Sequence, residues 1–247
     1  MIVILQLSLS FLFTASNGRH HIWLAYLWPT TKNWDYVFSE GDIWKYDERK
    51  IQRTAQVQYI MRSLTADFKD VGMKNDRSMD DHLSVLDVSC NLGYMLQAIS
   101  SGANKRSIDL NLYGLDISKR MVEETHKNCV SCLAEVFDLS TLDDASSWPS
   151  YPDHFDYVLV SDVLYYLKFG GIPPLIFKVC EFCRTLGFVV EREKRFADAL
   201  SRLARKEVVF SNHQGNDFAK SFLTNVGATF LETEGVYILE GKTTTKV

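Results

Sequence analysis

The stretch Leu83 to Gly93, LSVLDVSCNLG, constrains this chain more than any other. Ser84 to Val88 is short, largely apolar and β-branched, the pattern of a strand covered on both faces. Cys90-Asn91-Leu92-Gly93 then breaks that pattern. Gly93 lets the backbone come close to a ligand, and Asn91 is the non-glycine residue that best tolerates positive φ. Tyr94 to Ser100 resumes as an apolar helix, ended by Ser101-Gly102. A buried strand with an acidic end, followed by a tight loop that opens a helix, is the ligand-facing turn of a doubly wound α/β domain.

Further strands follow in order. Leu112 to Leu115 reads as a second strand ending at Asp116, with a helix from Lys119 to Lys127 after it. Asp116 suits either a ligand hydroxyl pair or the N-cap of that helix. Ala134 to Leu139 reads as a third strand and Phe155 to Val160 as a fourth. Leu175 to Thr185 reads as a helix and Phe188 to Val190 as a fifth strand, with the mixed-charge run Glu191 to Arg195 solvated after it. Asp217 to Asn225 is helical, and Ala228 to Glu234 with Val236 to Glu240 forms a closing hairpin at Gly235. Upstream, a helix is expected from about Asp47 to Leu64, with residues 69–82 as a polar loop.

With 247 residues, 46% of them hydrophobic, the chain can bury a full core. A formal net charge of −4 argues against non-specific binding of DNA or RNA, which needs a basic field. Cys129/Cys132 and Cys180/Cys183 form two CxxC pairs. The first falls between the second and third strands and the second between the fourth and fifth, so four ligands for one zinc should not converge, and no metal site is expected. Buried cysteines at helical spacing, or a Cys129–Cys132 redox pair, remain as readings. Met1 to Phe13, MIVILQLSLSFLF, has about the length of a signal-peptide core, and Thr14 to Gly18 resembles a cleavage region. A signal peptide or short anchor over residues 1–18 would place the protein in the secretory pathway or endomembranes. A soluble chain with an unusual start would be cytoplasmic.

VLDVSCNLGY resembles motif I of the class I S-adenosylmethionine-dependent methyltransferases, written VLDxGxGxG. Leu112-Tyr113-Gly114-Leu115-Asp116-Ile117-Ser118 resembles that family's second strand with its acidic end. Phe155 to Tyr166 resembles its fourth strand and following loop. The resemblance implies a Rossmann-like, mostly parallel seven-stranded sheet with an antiparallel last strand. It implies S-adenosyl-L-methionine as cofactor and methyl transfer to N or O of a small molecule. It divides the chain into an N-terminal lid and helical segment, 19–82, and a methyltransferase domain, 83–247. Asp87, Ser89, Cys90, Asn91 and Gly93 would form the first cofactor loop. Asp116 would accept the ribose hydroxyls, with Ile117 on the adenine face. Asp138 and Leu139 would lie at the adenine end, and Ser161 near the methyl group. Asp162 and Tyr165 would orient the acceptor, and Trp44 would belong to a lid like that of small-molecule methyltransferases related to the nodulation N-methyltransferases. Ser89 and Asn91 replace two of the motif glycines. A protein-lysine methyltransferase, through the Asp-x-x-Tyr of Asp162 and Tyr165, and a non-catalytic protein that kept the fold are the alternatives.

Overall fold

The computed structural model describes Asp35 and residues 50–73, 82–142, 149, 151–161, 163–164, 187–211 and 217–242. Trp44, Asp162, Tyr165, Cys180, Cys183 and the apolar run of residues 1–13 lie outside these. Five α-helices and seven strands are found among the described residues. In chain order they are α1 Lys50–Met73, β1 Leu83–Asp87, α2 Tyr94–Asn104, β2 Leu110–Asp116, α3 Lys119–Asn128, β3 Cys132–Val136, β4 Phe155–Val160, α4 Gly187–Leu203, β5 Ala204–Ser211, α5 Asp217–Asn225, β6 Thr229–Leu231 and β7 Val236–Glu240.

The strands form one sheet in the order β3-β2-β1-β4-β5-β7-β6. The first five are parallel, and β7 runs antiparallel to both β5 and β6. This is the expected doubly wound sheet with its antiparallel closing strand. Every residue of β1 and β4 is buried, as parallel strands covered on both faces must be. Two apolar layers flank the sheet. Ile60, Leu64, Leu96 and Ile99 from α1 and α2 meet Val85, Leu159 and Val209 on one side. Leu200 from α4 and Phe222 from α5 meet Leu86, Val158 and Phe210 on the other.

The central pair β1–β4 carries a polar clasp inside this apolar setting. Asp156 Oδ2 accepts hydrogen bonds from the Ser84 amide (2.8 Å) and hydroxyl (3.1 Å). The Asp156 amide donates back to Ser84 Oγ. α1 is likewise tied to the sheet. Tyr59 donates to Glu207 Oε2 (2.8 Å), Tyr157 donates to Asp67 Oδ2 (2.6 Å), and Lys206 Nζ stands 2.6 Å from Asp67 Oδ1. Burial pushes the Glu207 carboxyl and both phenols above their ordinary ranges.

The fifth strand is a correction. Phe188 to Val190 lies in helix α4, and the strand is Ala204–Ser211. A three-residue apolar run cannot tell a strand from a buried helical turn. The residues after it decide the matter: Phe196, Ala197, Leu200 and Ser201 are buried while Lys194, Arg195, Asp198 and Arg202 are exposed, which is helical spacing. The run Glu191 to Arg195 is therefore helical; Lys194 and Arg195 are exposed as expected, whereas Glu193 is buried, facing Asn225. Smaller shifts affect other boundaries. α1 extends to Met73, into the expected loop, and β3 begins at Cys132 rather than Ala134. Cys129 and Cys132 are joined as a disulfide across the α3–β3 turn.

Candidate functional site

The strand order reverses direction between β1 and β4, and in open α/β sheets ligands bind outside the carboxyl ends of the strands at that point. The two ends lie side by side: the Val88 amide donates to the Leu159 carbonyl at 3.0 Å. The loop after β1 is folded by its own backbone and by α3. Cys90 N–H donates to Leu115 O (3.0 Å) and Gly93 N–H to Cys90 O (2.8 Å). Thr125 Oγ1 donates to Asn91 O (2.7 Å), and Asn128 Nδ2 to Leu92 O (2.8 Å).

Asn91 adopts φ 50° and Gly93 φ 73°, as the loop sequence foretells. Among the described residues the only other non-glycine with positive φ is Ser107. Ser89 thus sits in ordinary backbone space, so its side chain adds no conformational cost where the motif has glycine. Gly93 meets a second demand. A Cβ there would stand 2.8 Å from Thr125 Cγ2 and 3.0 Å from Thr125 Cα. Its bare backbone is what lets the loop close onto α3. The Cys90 thiol packs beneath the loop, 3.5 Å from Thr125 Oγ1 and against Gly114. Burial raises its pKa, and the charges of Asp116 and Asp87 add to the rise. Asp87 is buried at the end of β1, with the Ser89 amide 3.4 Å from its Oδ1.

Asp116 closes the other side of the loop. Its Oδ2 accepts the Asn91 amide and its Oδ1 the Ser118 amide, both at 2.9 Å. The N-cap of α3 is Ser118, whose Oγ accepts from Met121 N–H. Asp116 is therefore left for another role than capping that helix. Burial lifts its carboxyl from 3.8 to about 6, against the pull of the Ser118, Asn91 and Ile117 amides. Asp35 adds to the rise. Asp35 Oδ1 accepts from Ser118 Oγ and from Arg120 N–H, so a residue far upstream caps the first turn of α3 beside Asp116.

The remaining candidates are placed as follows. Ile117 is half-buried directly after β2. Asp138 is half-buried after β3, and its carbonyl accepts from Thr141. Leu139 is buried with Leu115 and Phe137 in the core layer. Ser161 is buried at the end of β4, donating to Gln56 Oε1 at 2.7 Å and lying 3.7 Å from Met95 Sδ of α2. The ends of β1, β2 and β4 thus bring Asp87, Ser89, Asn91, Asp116 and Ser161 to one edge of the sheet. Sequence reasoning passed over Asp35, Thr125 and Gln56. For Gln56 a signal was present: it stands four residues before Ile60 and eight before Leu64, on the buried stripe of α1.

No family model matches the chain, and no curated protein matches it. Similar solved structures include magnesium protoporphyrin IX methyltransferase from Synechocystis PCC 6803 with bound S-adenosylhomocysteine, at 14% identity over 90% of this chain and 98% of that one, with a TM-score of 0.44. A TehB-like S-adenosylmethionine-dependent methyltransferase from Corynebacterium glutamicum is 12% identical over 75% of this chain and 99% of that one, with a TM-score of 0.41. An amino pentose methyltransferase from Micromonospora echinaspora with bound S-adenosylmethionine is 13% identical over 67% of this chain, with a TM-score of 0.40, and the match spans 54% of its length.

Proposed function

We propose that this chain is an S-adenosylmethionine-dependent methyltransferase acting on N or O of a small molecule. Asp116 carries the reading. It is a carboxylate buried at the switch-point edge of the sheet, and three backbone amides do not offset its desolvation. Two of these amides, those of Asn91 and Ser118, are within hydrogen-bond distance at 2.9 Å, and a carboxylate offers about four acceptor positions, so two remain for hydroxyl donors. The vicinal hydroxyls of a ribose meet that demand, and each charge-assisted bond would pull the carboxyl back toward its ordinary range. The donor set at this edge therefore fits the adenosyl group. Bound S-adenosylmethionine would supply an electrophilic methyl group, so the protein's share of the work is to bind, align and exclude water. Asp116 and Ile117 would hold the adenosine, with Asp138 and Leu139 at its base. Ser89, Asn91 and Gly93 would face the amino-acid arm. Ser161 would border the reacting end, with Asp162 and Tyr165 orienting the acceptor. The lid role of Trp44 belongs to the same proposal, and Asp35 supports it by reaching Ser118 beside Asp116.

A second reading, a folded binding protein that takes no cofactor, draws on the same carboxylate: its backbone amides could be its whole purpose. Calorimetric titration of the full chain with S-adenosylhomocysteine separates the two. The methyltransferase reading expects micromolar affinity, about −8 kcal/mol, abolished by Asp116→Ala. A folded chain that binds neither S-adenosylhomocysteine nor S-adenosylmethionine refutes it.

A further inference from the structure

Gln56 is fully buried in α1, yet both its polar atoms are in use at the site edge. Its Nε2 donates to Val209 O of β5 at 3.0 Å and to Val160 O, the last carbonyl of β4, at 3.4 Å. Its Oε1 accepts the Ser161 hydroxyl at 2.7 Å. One side chain thus gathers α1, β4, β5 and the first residue after β4. A buried amide with this many partners is costly to misplace, because each lost bond leaves a desolvated polar group. We infer that Gln56 is a positioning residue that sets the β4 side of the slot for the cofactor's amino-acid arm, acting through Ser161. The inference rests on the methyltransferase reading above.

Geometry ties it to that arm rather than to the adenosine. Asp116 closes β2, and β1 lies between β2 and β4. Neighbouring strands are about 4.8 Å apart, so the end of β4 is roughly 10 Å from the ribose anchor. A ligand whose base lies toward β3 must reach Ser161 with its other end. Met95 Sδ of α2 packs against the same hydroxyl, 3.7 Å from Ser161 Oγ. Rotation of the Ser161 hydroxyl away from Gln56 would move the polar side chain that follows β4 there.

The test is to titrate the full chain, Gln56→Leu, Ser161→Ala and the double variant with S-adenosylhomocysteine and with adenosine, which lacks the arm. Loss of a buried hydrogen-bond partner predicts roughly tenfold weaker S-adenosylhomocysteine binding for Gln56→Leu, with adenosine affinity unchanged. Ser161→Ala should lose a similar factor, and the double variant should lose no more than the larger single loss, since the two share one bond. Equal loss of both ligands would mark Gln56 as merely structural and overturn the inference. So would additive losses, or unchanged S-adenosylhomocysteine binding by Ser161→Ala. If Gln56→Leu does not fold, Ser161→Ala and the isosteric Gln56→Glu decide by the same ligand ratio. If the wild-type chain binds no S-adenosylhomocysteine, the methyltransferase reading itself fails and this inference falls with it.

Discussion

Gly93→Ala tests why the single glycine kept in the first loop is there. Two costs can be read from the structure. Gly93 has φ 73°, and placing an L side chain in the left-handed region costs about 1–2 kcal/mol. The new Cβ would also stand 2.8 Å from Thr125 Cγ2 and 3.0 Å from both Thr125 Cα and Oγ1. Overpacking of that kind costs about 1–3 kcal/mol. The stiffer unfolded chain returns about 0.4–1 kcal/mol. The net loss is about 1–5 kcal/mol, which for a chain of this size lowers the melting temperature by roughly 2–20 °C. Thermal melting followed by circular dichroism measures it. Two companions separate the costs. Gly227→Ala, at φ 79° with nothing within 4 Å, should show the conformational part alone. Thr125→Ser removes Cγ2 while keeping the hydroxyl on Asn91 O, so it should recover part of the loss in the Gly93→Ala background. A Gly93→Ala protein that melts with the wild type, or no more than Gly227→Ala below it, would show that α3 does not press on the loop.

Two other perturbations address the acidic pair at the site. Between roughly pH 4 and 6 the native Asp116 retains a proton that the unfolded chain has released, so stability should fall as pH rises through that window and then level off. The full amplitude is about 3 kcal/mol, measured by urea unfolding across that range, and Asp116→Asn should remove it; an unchanged slope in that variant would assign the titration elsewhere. Asp35→Ala strips a cap from α3, costing about 1 kcal/mol. It also takes a negative charge from beside Asp116, so the midpoint of the same pH transition should move to lower pH; a midpoint that stays put would mean that the two carboxylates do not sense each other.

What was legible in the sequence was mostly local. VLD and FDYVLV announce buried parallel strands because, apart from one aspartate each, they are short runs of apolar and aromatic residues on both faces. Asn91 and Gly93 announce a turn because few residues accept their backbone angles. Asp116 could be singled out because it ends a strand at the expected edge. The partners of these residues were not legible. Nothing near Gly93 in sequence says that Thr125 lies against it, and nothing near Asp116 names Asp35. Phe188 to Val190 misled because three apolar residues carry no period, while the helical spacing from Phe196 to Ser201 was there to be counted. Nothing near Gln56 in sequence says that its side chain reaches two strands more than a hundred residues away.

The clasp between Ser84 and Asp156 joins residues 72 positions apart, and it sits between the two central strands of the sheet. β1 can pair with β2 soon after both are made, but its other edge has no partner until β4 exists. At about 5–20 residues per second, a ribosome leaves that edge open for roughly 4–14 s. Contacts so distant in sequence also form slowly once the chain is complete. During this interval the chain presents an apolar strand edge interrupted by a serine whose polar partner has not arrived. The window for wrong pairing is thus opened by the same strand crossing that places the candidate site.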